Sequence, residues 1–120
     1  MAKTILVVDD SAVIRQTVGL ALKSAGYEVI EACDGKDGLS KLGGQKINLI
    51  ISDVNMPNMD GITMVEELKK DPANKFTPVI MLTTESQADM KAKGKAAGVR
   101  ALVVKPFQPP QMLDAVAKLI

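Results

Sequence analysis

Short apolar runs alternate with amphipathic stretches along the whole chain. Runs rich in Val, Ile and Leu lie at 4–8, 27–32, 47–52, 78–82 and 101–104. Nearly continuous apolar runs of this length are typical of strands buried on both faces of a parallel sheet. The run at 27–32 is more mixed, as expected for an edge strand. The pattern therefore predicts five strands, the second of them at an edge.

The stretches that follow these runs have the spacing of amphipathic helices. The first predicted helix has Ser11 as its N-cap and Gly26 as the glycine that follows it. Its apolar face consists of Ile14, Val18, Ala21, Leu22 and Ala25. Further helices are predicted over 35–44, 62–70, 86–97 and a C-terminal stretch with Leu113, Val116, Ala117 and Ile120 on one face. Glycines within 35–44 and 86–97 each cost about 1 kcal/mol of helix stability, which predicts short or mobile helices there.

Strict alternation of strands and helices indicates an α/β fold. Strands that alternate with helices form a parallel sheet, and the helices cover both of its faces. We find no linker, low-complexity tract or second core along residues 1–120. We therefore expect a single domain over residues 1–120, with no separate output domain.

Composition excludes several kinds of chemistry. The chain has 120 residues, of which 47% are hydrophobic, and a net charge of +1. This balance does not suggest nucleic-acid binding, and no apolar run is long enough to span a membrane. A single cysteine, Cys33, cannot form an internal disulfide, and we expect it to be a small buried residue in a cytoplasmic protein. The absence of histidine excludes His-based catalysis and His-ligated metal sites, and one cysteine excludes a structural zinc site.

Polar residues follow four of the five predicted strands. Asp9 and Asp10 follow the first, Asp53 the third, Thr83 the fourth and Lys105 the fifth. Sites in open α/β sheets lie beyond the carboxyl ends of the strands, so these side chains are predicted to meet at one edge. Taken singly, each residue has an ordinary structural explanation, such as a helix cap, a turn or a solvated lysine. Those explanations leave their coincidence at one end of the sheet unexplained.

The three carboxylates predict a cation site. Clustered carboxylates repel one another, and a divalent cation relieves the repulsion. Oxygen ligands with room for water suit Mg²⁺. A metal beside a lysine and a hydroxyl can handle a phosphoryl group, and an aspartate can itself accept one.

Four segments together resemble the receiver domain of two-component response regulators. They are DD at 9–10, DVNMPNMDG at 53–61, LTT at 82–84 and KPF at 105–107. The match extends over the whole chain and is greatest to the free-standing chemotaxis members. The resemblance implies a doubly wound, flavodoxin-like (βα)5 fold with a parallel sheet in the order 2-1-3-4-5.

The resemblance also implies roles for individual residues. Asp53 would accept the phosphoryl group from a phosphohistidine of a partner kinase or from a small phosphodonor. Asp10 and Asp53 would bind Mg²⁺ through their side chains, Asn55 through its backbone carbonyl, and Asp9 mainly through a water molecule. Lys105 would contact the phosphoryl oxygens.

The switch residues include one departure from the family pattern. Thr83 would move inward to form a hydrogen bond with the phosphoryl group. In the family, the residue three positions before the lysine is usually aromatic, and here it is Leu102. Output would pass through the face of the fourth helix, fifth strand and fifth helix, where residues 85–105 carry a net charge of +3. Leu102 puts the usual binding to the flagellar motor switch in doubt. A phosphate sink or a phosphorelay intermediate is the alternative.

The expected function is a monomeric, cytoplasmic switch, not an enzyme beyond its own phosphoryl transfer and dephosphorylation. It would require Mg²⁺, a histidine kinase of the chemotaxis type and a downstream protein. An aspartate-based phosphohydrolase is a less favoured alternative, because Val54 and Asn55 follow Asp53 where such enzymes have a DxD motif. A flavodoxin-like cofactor binder is disfavoured because Asp9 and Asp10 would repel a phosphate.

Overall fold

The structure, a computed structural model, describes residues 3–42, 46–54, 59–72, 74–83, 98–104 and 108–120. Its sheet has five parallel strands in the order β2-β1-β3-β4-β5. The strands are β1 Thr4–Val8, β2 Glu28–Ala32, β3 Leu49–Asp53, β4 Val79–Thr83 and β5 Ala101–Val104. The predicted fold class, the strand order and the edge position of the second strand are therefore confirmed.

Four helices are described in the chain. They are α1 Ala12–Ser24, α2 Gly35–Leu42, α3 Gly61–Leu68 and the C-terminal helix Pro109–Leu119. The Ser11 side chain caps α1 by accepting from the backbone N–H of Ile14, and Gly26 follows with φ +96°, as the sequence predicts. The helix predicted over 86–97 lies outside the described residues.

The core lies in two layers, one on each face of the sheet. Alternate strand residues point to opposite faces, as in any strand. Ile5, Val7 and Ile51 pack on the side of α1 and the C-terminal helix. Leu6 and Ile50 pack on the side of α2 and α3. Helices therefore cover both faces of the sheet. In the described part of the chain, none of these helices has the length and apolar character needed to cross a membrane.

Two residues of the predicted apolar faces are exposed, so those predictions were wrong. Ala25 is exposed because it lies past the last turn of α1, where its N–H closes the helix on the carbonyls of Ala21 and Leu22. Ala117 is exposed because Met112 and Val116 form the buried stripe of the C-terminal helix. The pattern therefore extends one residue past the end of α1 in the first case and is wider than the buried stripe of the C-terminal helix in the second.

Close packing explains two glycines of α2. A Cβ on Gly35 would lie 2.7 Å from the carbonyl oxygen of Met59, and one on Gly38 would lie 2.9 Å from Sδ of Met64. Both glycines are buried. These residues weaken the helix intrinsically, but they also allow α2 to approach the chain around α3.

Candidate functional site

The end of β1 holds two aspartates in different surroundings. Asp9 is buried, and its Oδ1 accepts from the backbone N–H of Ser11 at 2.9 Å, whereas Asp10 is exposed. Arg15 donates from Nη1 to the backbone carbonyl of Asp9 at 2.5 Å and forms an ion pair with Glu31 at 3.5 Å. Arg15, which the sequence did not single out, thus fastens the β1–α1 loop to the neighbouring strand.

Asp53 is the last residue of β3 and is 8% exposed. Its Oδ1 accepts from the backbone N–H of Val54 at 2.9 Å, and its backbone carbonyl accepts from Oγ of Ser52 at 2.9 Å. The Val54 N–H also donates to the carbonyl of Leu82 in β4 at 3.2 Å. These bonds hold both the main chain and the carboxylate of Asp53 at the carboxyl edge of the sheet.

Gly61 packs directly against Asp53. Its N–H donates to the carbonyl of Val54 at 2.9 Å, which brings the start of α3 under the end of β3. A Cβ on Gly61 would collide with the backbone carbonyl of Asp53 and lie 3.1 Å from Oγ of Ser52. Glycine is required here by close approach, a requirement that sequence reasoning missed.

The three carboxylates predicted from the strand ends do come together. One oxygen each of Asp9, Asp10 and Asp53 lies within 4.8 Å of the others. Three hard oxygen donors with mixed burial fit a divalent cation such as Mg²⁺, which prefers carboxylates and water. The donors also lie at the carboxyl end of a parallel sheet, where open α/β folds place their binding sites.

The side chains of Thr83 in β4 and Leu102 in β5 lie on the same face of the sheet. Thr83 ends β4, is 1% exposed, and pairs with Val104 in the register of β4 and β5. Leu102 pairs with Met81, two residues before Thr83, and packs against the core cluster on the α2–α3 side. The two remaining predicted site residues, Asn55 and Lys105, lie outside the described residues.

Comparison with known proteins identifies the family to which the chain belongs. The model of the response regulator receiver domain matches residues 5–117. The chain belongs to this family. Receiver domains act as phosphoacceptor switches in two-component signalling, are not generally classed as enzymes, and work between a histidine kinase and a downstream target.

Relatives of this receiver domain support the assignment over its full length. It is 39% identical over 112 residues to the protein PilG of Pseudomonas aeruginosa, covering 93% of this chain and 83% of PilG. The chemotaxis response regulator CheY4 of Vibrio cholerae superimposes with a TM-score of 0.95 and 42% identity, covering 100% of both chains. The receiver domain of a Pseudomonas aeruginosa PAO1 sensor histidine kinase, with magnesium in its active site cleft, has a TM-score of 0.91 at 24% identity and covers 99% of this chain and 98% of its own. That last likeness shows the fold alone.

The receiver domain also carries an acidic residue after β2, where the sequence offered no candidate. Asp34 is buried, and its Oδ1 accepts from the backbone N–H of Asp37 at 2.8 Å. Asp37 in turn accepts from the backbone N–H of Cys33 at 3.0 Å. Both carboxylates thus accept from backbone N–H groups at the start of α2, which gives them a capping role. Asp followed three residues later by another acid was the available sequence signal.

Cys33 is exposed, so the expectation of a buried cysteine was wrong. It follows an edge strand, which leaves one side open to solvent. Partial desolvation, then the charges of Asp34 and Asp37, raise the pKa of the Cys33 thiol. The thiol is therefore accessible but remains protonated at neutral pH, a state in which cysteine is a poor nucleophile.

This accessible, protonated thiol predicts a particular pH dependence of alkylation. The labelling rate of Cys33 by iodoacetamide should be lower than that of free cysteine at neutral pH and should still rise where free cysteine has levelled off. Asp37→Asn removes one of the charges that oppose thiolate formation and should shift the profile to lower pH. Asp114→Asn is the control, because this exposed carboxylate lies on the C-terminal helix, on the opposite face of the sheet from α2. A profile that superimposes on free cysteine would contradict the prediction.

Proposed function

We propose that this receiver domain is a Mg²⁺-dependent switch that accepts a phosphoryl group on Asp53. The observation that carries the proposal is the convergence of the Asp9, Asp10 and Asp53 carboxylates within 4.8 Å at the carboxyl edge of the sheet. Family membership supplies the reaction class, and the burial and backbone bonds of Asp53 distinguish it from the exposed Asp10. Residues 1–120 would form one cytoplasmic, monomeric domain.

Asp53 would act as the nucleophile. One carboxylate oxygen attacks the phosphorus of a phosphohistidine, a P–O bond forms, and the P–N bond breaks as the imidazole leaves with a proton. The bond from Val54 N–H to Oδ1 fixes the orientation of the carboxylate before the attack. Positioning of this kind supplies a large part of catalysis in phosphoryl transfer.

Asp9, Asp10 and Asp53 would hold the cation with the backbone carbonyl of Asn55. When bound, Mg²⁺ neutralises the carboxylates and the charge on the transferring phosphoryl oxygens. Arg15 holds the carbonyl of Asp9 in place and so positions this loop. Lys105, directly after β5, would contact the phosphoryl oxygens and offset the remaining negative charge.

Thr83 would respond to phosphorylation by forming a hydrogen bond with the new phosphoryl group. Because Thr83 and Leu102 lie on one face of neighbouring strands, a shift of the threonine leaves room for Leu102 to repack. The signal would reach a downstream protein through the face of the predicted fourth helix, β5 and the C-terminal helix. Resemblance to a chemotaxis regulator favours an output in chemotaxis, with a chemotaxis-type histidine kinase upstream.

Leu102 favours a second candidate, a phosphate sink or phosphorelay intermediate that does not bind the flagellar motor switch. A leucine cannot make the rotamer switch of an aromatic ring between a buried and an exposed state. Phosphorylation of Asp53 is common to both candidates. They differ in whether phosphorylation creates a new binding surface at β5.

The test is the intact mass of the protein after incubation with acetyl phosphate. We expect a gain of one phosphoryl group with Mg²⁺ and none after chelation by EDTA. Because fast self-hydrolysis would hide the adduct, the same sample is titrated with beryllofluoride and followed by NMR. Failure of both the mass gain and the NMR response at Thr83 in the presence of Mg²⁺ would refute the proposal.

A further inference from the structure

The two ends of this molecule differ sharply in charge. All five strands run in one direction, and the helices return in the opposite one, so strand starts and helix ends share one end of the molecule. We call this end, formed by the residues just before the strands and in the last turns of the helices, the amino-end face. It is the end opposite Asp53.

Positive residues dominate the amino-end face. Its described Lys and Arg residues are Lys3, Lys23, Lys41, Lys46, Lys69, Lys70, Lys75, Arg100 and Lys118. Its described acidic residues are Glu28, Glu66, Glu67 and Asp71. The described charges of the opposite end are Asp9, Asp10, Glu31, Asp34, Asp37, Asp53 and Asp60 against Arg15 and Lys36. Among the described residues, the molecule is therefore a dipole whose positive end faces away from the site.

Phe76 projects from this face. It is 84% exposed, in the turn that precedes β4, with Nζ of Lys75 5.7 Å from its ring centroid. The turn is held in shape by Lys69, whose Nζ donates to the carbonyls of Lys75 at 3.1 Å and Thr77 at 2.6 Å. Burial, and then the charge of Arg100, lowers the pKa of Lys69. A rigid turn thus presents a large apolar ring among positive charges.

We propose that the amino-end face binds an anionic lipid surface, with Phe76 entering the interfacial region. Polybasic segments are attracted to anionic headgroups, and an apolar ring adjacent to lysines suits the headgroup boundary. Lysines outnumber arginines eight to one on this face among the described residues. Lysine is depleted in protein–protein interfaces whereas arginine is enriched, so a membrane fits this surface better than a protein partner.

Such binding leaves the phosphorylation site accessible. The carboxylates of Asp9, Asp10 and Asp53 lie at the other end of the strands and would point away from the lipid. Their negative charge would be repelled by the same headgroups, which favours one orientation. Attachment therefore concerns where the domain resides and does not depend on phosphoryl transfer.

The test is co-sedimentation with vesicles of phosphatidylcholine, with and without phosphatidylglycerol. Binding is expected with the anionic vesicles, and it should weaken at high ionic strength. A triple variant, Lys46→Glu with Lys75→Glu and Arg100→Glu, should lower the partition coefficient at least about a hundredfold, since each basic residue contributes about fivefold. Phe76→Ser should lower it about tenfold.

A matched pair of single variants separates surface from net charge. Lys75→Glu lies on the amino-end face and Lys36→Glu at the opposite end, and each changes the net charge equally. Lys75→Glu should weaken vesicle binding and Lys36→Glu should not, with thermal unfolding confirming that both variants fold. Equal effects of the two, equal binding to neutral vesicles or no binding by the wild type would overturn the proposal. Binding to polyglutamate in place of vesicles would identify an acidic protein as the partner and overturn it as well.

Discussion

Asp53→Asn is expected to abolish incorporation of a phosphoryl group, with no mass gain from acetyl phosphate and Mg²⁺ under conditions that modify the wild type. The amide keeps the size of the side chain and an oxygen that can accept from the Val54 N–H, but it lacks the anionic nucleophile. The loss should therefore concern chemistry and not folding. Intact mass spectrometry measures the adduct, and thermal unfolding verifies that the variant is folded.

Asp60→Asn is the matched control for that prediction. Asp60 is exposed and caps α3, where its Oδ1 accepts from the backbone N–H of Thr63 at 2.7 Å. Asparagine is an equally good N-cap residue, so stability should change little. We expect this variant to gain one phosphoryl group like the wild type. A phosphoryl adduct on Asp53→Asn, mapped to Asp10 or Asp9, would show that the wrong carboxylate had been assigned.

The apolar runs predicted the strands well because β1, β3 and β4 are buried on both faces. Their carboxyl ends were less predictable from hydropathy. Asp53 and Thr83 are polar, which ends an apolar run, yet both belong to their strands, because Asp53 pairs with Leu82 and Thr83 pairs with Val104. Placement of the functional side chains within the strand ends holds them more rigidly than a loop would.

Contacts between distant parts of the chain were the least predictable features. The sequence pattern predicts that Gly61 belongs to an Asp-Gly turn, and the neighbouring residues do not indicate that it packs against Asp53. The exposure of Cys33 and Phe76 likewise depends on which strand lies at the edge and how the turn before β4 is held. By contrast, the three carboxylates were predictable as a group, since the parallel topology brings the carboxyl ends of strands together.

Gly61→Ala is expected to destabilise the domain by about 3 kcal/mol, which is the upper end of the usual cost of adding a methyl group to a packed site. The added Cβ would meet the backbone carbonyl of Asp53, and also Cε of Met81 at 3.1 Å. Backbone cannot rotate away as a flexible side chain can, so either α3 or the end of β3 must move. Equilibrium unfolding in urea measures the loss of stability.

Gly19→Ala provides the control that isolates this collision. Gly19 is buried within α1, and a Cβ there would lie 3.6 Å from Cγ1 of Val29, an ordinary van der Waals distance. Alanine should stabilise the helix there by up to about 1 kcal/mol, the opposite sign from Gly61→Ala. A Gly61→Ala variant as stable as the wild type would mean that the chain around Asp53 is not held as closely as the structure shows.

The same collision moves Asp53 itself, so the rate of phosphorylation by acetyl phosphate should fall in Gly61→Ala even where the protein is fully folded. Gly19→Ala should leave that rate unchanged. This comparison would separate the positioning of the nucleophile from general stability.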